Sequence, residues 1–247
     1  MLRWLTAFVD VPPAFADRDV AFWQAVTGST LSARRGDRSQ FVTLLPPTGD
    51  AYLRAQTVFA GAGGSHLDLH ADDPEALAER ARSLGATTRF QEPGLTVLDS
   101  PAGLAFCVVA AHGEAVRPGP VTRGDGTRSL VDQVCLDLPP DGYERECGFW
   151  SALTGWQLRT DSRPEFRHLA GPAGMPLRLL LQRLGDARPA TAHLDLACDD
   201  IEAEAAWHVA RGARRSHRTA DWITLRDPAG LPYCVTRRSP DTGTTPD

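Results

Sequence analysis

Apolar and polar residues alternate over residues 5–11 (Leu-Thr-Ala-Phe-Val-Asp-Val), placing Thr6, Phe8 and Asp10 on one face of a strand and Ala7, Val9 and Val11 on the other. Pro12-Pro13 ends that strand, and Val20, Trp23 and Val26 at helical spacing predict a helix to about residue 27, stopped by Gly28. Two or three strands fit residues 30–59, with turns at Gly36-Asp37 and Pro46–Asp50. A second strand over 65–71 puts His66, Asp68 and His70 on one face. Asp73 is then an N-cap with Pro74 at the first helical position, and Leu77, Ala81 and Leu84 line a helix ending at Gly85. Strands near 87–90, 94–98 and 104–109 follow, the last two joined by the turn Asp99–Gly103.

The same order then recurs. From His66-Leu67-Asp68-Leu69 to His193-Leu194-Asp195-Leu196 the interval is 127 residues, and it is kept by Phe22-Trp23 and Phe149-Trp150, Gly28 and Gly155, Gly85 and Gly212, and Cys107 and Cys234. One unit is written twice. Strands are expected at 131–138, within 156–184, and at 192–198, 221–226 and 231–237, with helices near 142–153 and 200–211. The halves are assigned as domains 1–110 and 129–237, with residues 111–128, which lack apolar periodicity, as a linker and the Ser/Pro/Thr/Gly-rich 238–247 as a disordered tail. Each quarter reads as strand, helix and about three strands, an α+β arrangement. One sheet face packs on the helices; the other, carrying Gln133, Asp137, His193, Asp195 and Cys234, is expected to face water or line a pocket.

Composition narrows the chemistry. All 26 basic residues are Arg and none is Lys, which removes Schiff-base lysine catalysis and the P-loop lysine. A net charge of −5 without a basic stripe argues against a nucleic-acid partner, and no apolar run is long enough to span a bilayer. Five cysteines, three of them without a counterpart in the other half, read as free thiols in the cytoplasm. Nucleophile elbow, dinucleotide turn, Cys-x-x-Cys and His-Glu-x-x-His motifs are all missing from the sequence.

Four features, in order and twice over, carry a resemblance. They are the helix ending Phe-Trp-x-x-x-Thr-Gly, the His-Leu-Asp-Leu strand followed by Asp-Asp, the Gly-Ala after the second helix, and the closing Pro-Ala-Gly-x-x-x-Cys hairpin. The chain resembles the vicinal oxygen chelate superfamily, in particular its glyoxalase-like and bleomycin-resistance-like domains. The resemblance implies paired βαβββ modules in each half, curled around a cavity. It also implies metal-ligand positions at Gln133, Gln182, His193 and Cys234 in the second half, and at Thr6, Gln56, His66 and Cys107 in the first. Metal-using members usually carry Glu where Cys107 and Cys234 stand, so no cofactor is favoured, and zinc suits the thiolate best among divalent ions.

The candidate ligand-binding residues are therefore Gln56, His66, Cys107, Gln133, Asp137, Gln182, His193, Asp195, Trp222 and Cys234, with His193 the candidate proton carrier. The histidines read equally as hydrogen-bonded members of the sheet, and the cysteines as small buried hydrophobes. Metal-independent binding or sequestration of a small organic molecule by a monomer is the expected function. The alternative is a lyase or isomerase using His193 with a divalent metal, or with Gln133 and Gln182 stabilising an oxyanion.

Overall fold

The computed structural model describes residues 1–245. The first half contributes strands β1 (Leu2–Val11), β2 (Thr30–Leu31), β3 (Phe41–Leu45), β4 (Leu53–Thr57), β5 (Gly64–Ala71), β6 (Thr87–Glu92), β7 (Leu95–Asp99) and β8 (Ala105–Ala110), with helices α1 (Ala16–Thr27) and α2 (Pro74–Ser83). A short β9 (Val121–Thr122) precedes β10 (Arg128–Leu138). The second half adds α3 (Tyr143–Thr154), β11 (Gln157–Thr160), β12 (Phe166–Ala170), β13 (Arg178–Arg183), β14 (Thr191–Cys198), α4 (Ile201–Val209), β15 (Arg214–Arg218), β16 (Trp222–Arg226) and β17 (Pro232–Thr236). The strand orders are β2-β3-β4-β1-β5-β8-β7-β6 and β11-β12-β13-β10-β14-β17-β16-β15, two open mixed sheets with the same plan. The chain is thus an α+β tandem of βαβββ modules.

Local chemistry explains the element ends. Gly28 and Gly155 close α1 and α3 at φ 61° and 72°, the left-handed conformation that costs glycine nothing. Asp73 caps α2 by accepting from Ala76 N at 2.9 Å, and Asp200 caps α4 from Glu202 N and Ala203 N. Strand β15 carries no apolar pattern: Arg214-Arg215-Ser216-His217-Arg218 is exposed throughout and is a strand because β16 pairs with it.

The fold packs as two compact units that each draw on both halves of the sequence. One unit comprises Met1–Phe8, Ser65–Val116 and Val134–Ala192. In it Phe106 of β8 meets Phe149 and Trp150 of α3 with ring centroids 5.9 and 5.2 Å apart. The other comprises Val9–Gly64, Arg117–Gln133 and the chain from His193 on. There Phe22 and Trp23 of α1 pack edge-on to Tyr233 of β17, at 5.9 and 5.1 Å. Each unit's aromatic core thus pairs a helix from one half with a closing strand from the other.

Two segments outside the modules carry specific contacts. Residue Arg123, within the expected linker, is buried in the second unit and binds the Glu204 carboxylate at 2.5 and 3.2 Å. Arg238, in the expected tail, grips buried Asp132 with two hydrogen bonds of 2.6 and 2.8 Å. The last two residues of that tail segment lie outside the described residues.

Candidate functional site

Strand periodicity alone puts His193 and Asp195 on one face of β14, because residues two apart project the same way. The parallel pairing of β14 with β17 sets Asp195 opposite Cys234. As a result His193 Nε2, an Asp195 carboxylate oxygen and Cys234 Sγ all lie within 4.8 Å of one another in the second unit. His193 Nε2 is 3.3 Å from Asp195 Oδ1 and 3.6 Å from Cys234 Sγ. Gln133 of β10 donates its Nε2 amide to Asp195 Oδ2 at 2.6 Å, and Thr224 Oγ1 lies 3.5 Å from Cys234 Sγ. Oδ1 of Asp195, buried with the rest of the side chain, takes part in no hydrogen bond; its approach to His193 lacks hydrogen-bond alignment.

The electrostatics follow from this geometry. Burial works to raise the Asp195 pKa, but the His193 ring, Arg238 and the Gln133 amide together hold the carboxyl below the usual range. Burial pushes the Cys234 thiol up, so it is protonated at neutral pH. The polar face, expected to meet water or to line a pocket, is withdrawn from solvent: Gln133, Asp137, His193, Asp195 and Cys234 are all buried. Their polar atoms are matched largely to one another, which is what lets a sheet bury such a face.

The four second-half ligand positions implied by the resemblance fare differently. His193 and Cys234 come together. Gln133 faces Asp195, and Gln182 belongs to the first unit, where its Oε1 is 3.6 Å from Cys135 Sγ. Asp137, also in the first unit, accepts from Thr191 Oγ1 at 3.5 Å. Trp222 is half-buried on β16, in register with Thr236. In the first half, His66, Asp68 and Cys107 form the equivalent trio, with His66 Nε2 3.8 Å from Asp68 Oδ1 and the Phe8 ring stacked on His66 at 4.4 Å. Thr6 instead meets His70 Nε2 at 2.9 Å, and Gln56 lies in the second unit beside Gln40 and Arg34 in a narrow cleft.

Asp195 was among the candidate binding residues but not among the metal-ligand positions implied by the resemblance, and its echo Asp68 was in neither set. The available signal was the His-x-Asp spacing; the β14–β17 register that adds the cysteine has no local signature.

Duplicated βαβββ modules with a polar trio on the fifth and closing strands define a glyoxalase-like protein, and the chain belongs to the glyoxalase-like domain family, whose model matches residues 7–109 and again 133–236. The similar solved structures are members of the vicinal oxygen chelate superfamily. They include a 4-hydroxymandelate synthase mutant from Streptomyces coelicolor, 14% identical, with a TM-score of 0.62 and covering 99% of this chain and 96% of that one. The Mn(II)-bound glyoxalase from Novosphingobium aromaticivorans is 16% identical at a TM-score of 0.62, over 95% of this chain and 82% of its own. The 2,3-dioxygenase LapB from Pseudomonas sp. KL28 is 14% identical at 0.62, over 99% and 93%. At these identities the likeness is one of fold. A comparison with curated protein sequences found no match. Among the described residues no helix is long and apolar enough to cross a membrane.

Proposed function

We propose that the chain binds a small organic molecule at the polar cluster of β10, β14 and β17. The observation that carries this reading is Asp195 Oδ1, a buried carboxylate oxygen without a hydrogen-bond donor, beside His193 Nε2. A buried charge acceptor left in that state costs free energy, and a guest supplying a hydroxyl or other donor repays it. Gln133, bonded to Oδ2, holds the carboxylate in place. The relatives named for glyoxalase and dioxygenase activity support a fold suited to small molecules. Nucleophilic chemistry at Cys234 finds no support. The Cys234 thiol is buried and held in its protonated form, and the His193 nitrogen it meets, Nε2, also faces Asp195.

A lyase or isomerase reaction remains the second reading, favoured by the placement of His193 beside an ionised carboxylate. Its oxyanion would have to be met by something other than Gln133, whose amide is committed to Asp195. Metal-free sequestration was expected because only His193 and Cys234 counted as strong donors; Asp195 raises that count to three.

The test is a thermal-shift and calorimetry screen of chelator-treated protein against hydroxylated and aromatic small molecules. A ligand at ~100 times its Kd adds roughly 2.7 kcal/mol, or about 5–10 °C in Tm for a chain of this size. The stabilisation should vanish in Asp195→Asn. Failure of every compound, or hits indifferent to that substitution, would remove the site.

A further inference from the structure

We infer that the guest of the Asp195 cluster is an organic anion whose carboxylate or phosphate group is received by Arg214 and Arg226; this rests on the reading that the cluster is the binding site. Cross-strand register carries the cluster outward to the edge of the sheet. Asp195 of β14 lies opposite Cys234 of β17, Cys234 opposite Thr224 of β16, and Thr224 opposite His217 of β15. Residues paired in this way project from one face, so the four side chains form a row. Asp195 and Cys234 are buried, Thr224 is half-buried and His217 is exposed, so the row climbs from the interior to solvent. The next row on that face holds Pro232, Arg226 and Arg214, the bulge between Arg215 and His217 absorbing the extra residue on β15.

Two guanidinium groups therefore stand directly opposite each other, an arrangement that destabilises a sheet unless an anion lies between them. Neither forms an ion pair with a carboxylate among the described residues. Arg226 donates one N–H to Gly230 O at 2.8 Å, which orients the group and leaves the rest of its donor fork open. Arg215 and Arg218 of the same strand are the contrast: paired with Leu225 and Ile223, they lie on the opposite face and close on Glu202 of α4 at 2.6 and 2.8 Å. A planar fork of donors suits the oxygens of a carboxylate or phosphate. Strands about 4.8 Å apart and a rise of about 3.3 Å per residue put the Cα atoms of Asp195 and Arg226 roughly 12 Å apart. One guest that meets both thus carries its two polar groups at opposite ends. Asp195 is ionised and repels a second anion, so it takes the hydroxyl end on its open Oδ1, and the arginines take the charged end.

The experiment titrates the full chain by calorimetry with three series of matched length: ω-hydroxy carboxylic acids of four to eight carbons, the corresponding ω-hydroxyalkyl phosphates, and the neutral α,ω-diols. The expected result is an acid or a phosphate that binds at least about tenfold more tightly than its diol, with affinity falling as salt is raised. The tighter of the two anionic series identifies the group the arginines receive. Arg214→Gln, which disturbs no hydrogen bond among the described residues, should weaken the anions about 3–10-fold and leave the diols unchanged. Arg214→Gln with Arg226→Gln should bring the anions down to the diols, whereas Arg215→Gln should alter no series. Asp195→Asn should weaken all three. Far-UV circular dichroism of the variants separates loss of binding from loss of the fold. Diols that bind as tightly as the anions, still through Asp195, would overturn the anion inference and leave the site standing. Anion binding undiminished in the double arginine variant would overturn it too. If no series binds, both readings fall.

Discussion

Asp19 of α1 and Asp227 of the β16–β17 hairpin form a buried acid pair in the second unit whose shared proton should govern stability. Burial, then the charge of Asp227, raises the Asp19 pKa from 3.8 to about 8, and burial raises Asp227 to about 6. Arg18, donating to Pro228 O at 2.6 Å, and the Tyr233 phenol are the other ionisable groups facing the pair. Asp227 accepts from Ala229 N, Leu231 N and Trp23 Nε1, whereas Asp19 Oδ2 is buried without a hydrogen bond. In the sequence repeat these positions are Ser100 and Glu146, so the first unit has a single carboxyl there, satisfied by Ala102 N and Trp150 Nε1.

An acid whose pKa rises on folding stabilises the native state fully below its unfolded pKa and loses that contribution as pH climbs through the folded value. Between about pH 6 and about pH 8 the native pair holds roughly one proton that the unfolded chain has released. Unfolding free energy then falls by ~1.4 kcal/mol per pH unit, some 2–3 kcal/mol across the window. Asp19→Asn substitutes an amide that can donate to Asp227 at any pH. Urea unfolding followed by tryptophan fluorescence should find the variant close to wild type near pH 5.5 and about 2 kcal/mol more stable at ~pH 8, or about 4–8 °C in Tm. A wild-type midpoint indifferent to pH over this range, or a variant weaker at both ends of it, would refute the reasoning.

Arg123→Met should be among the most damaging single changes, because it strands the Glu204 carboxylate beside Ser129 and His208. Chemical unfolding should register a loss of about 3–5 kcal/mol. Burial opposes ionisation of Glu204, but His208 and Arg123 outweigh it and bring the pKa to about 2, so this network's contribution is present above the ordinary carboxylate range and is lost as pH falls toward that value; acid titration of unfolding free energy should show the loss in wild type and a smaller one in Arg123→Met. Asp73→Ala removes the α2 cap and should cost on the order of 1 kcal/mol in the same assay. All five cysteines are buried and outside disulfides, so a thiol reagent applied to native protein should label them slowly and label all five at once on unfolding; fast stoichiometric reaction of Cys234 would contradict its burial.

The helices were legible because apolar residues at helical spacing and a terminal glycine are local signals: Val20, Trp23 and Val26 before Gly28 are buried as the pattern requires. The duplication was legible because it is a matter of spacing. Strand β15 was not, since an edge strand exposed on both faces leaves no periodicity, and its existence depends on β16. Nor was Arg123, whose burial depends on Glu204, 81 residues away.

The site shows the same division more sharply. That His193 and Asp195 share a face follows from the two-residue period of any strand. That Cys234 completes the trio depends on β17 lying beside β14 in one register, with Leu194 opposite Tyr233, Asp195 opposite Cys234 and Leu196 opposite Val235. Slipping β17 by one residue would set Tyr233 or Val235 against Asp195 and turn the thiol toward the other face of the sheet. The hairpin preceding β17 opposes such a slip. Asp227 receives the backbone N–H groups of Ala229 and Leu231 on its carboxylate, its own N–H donates to Leu231 O at 3.0 Å, and its carbonyl accepts from Gly230 N at 2.9 Å, which closes the turn. The acid that tunes stability with pH therefore also fixes the alignment on which the donor trio depends, so Asp227→Ala should loosen the cysteine's placement as well as the hairpin, while Asp19→Asn should spare it.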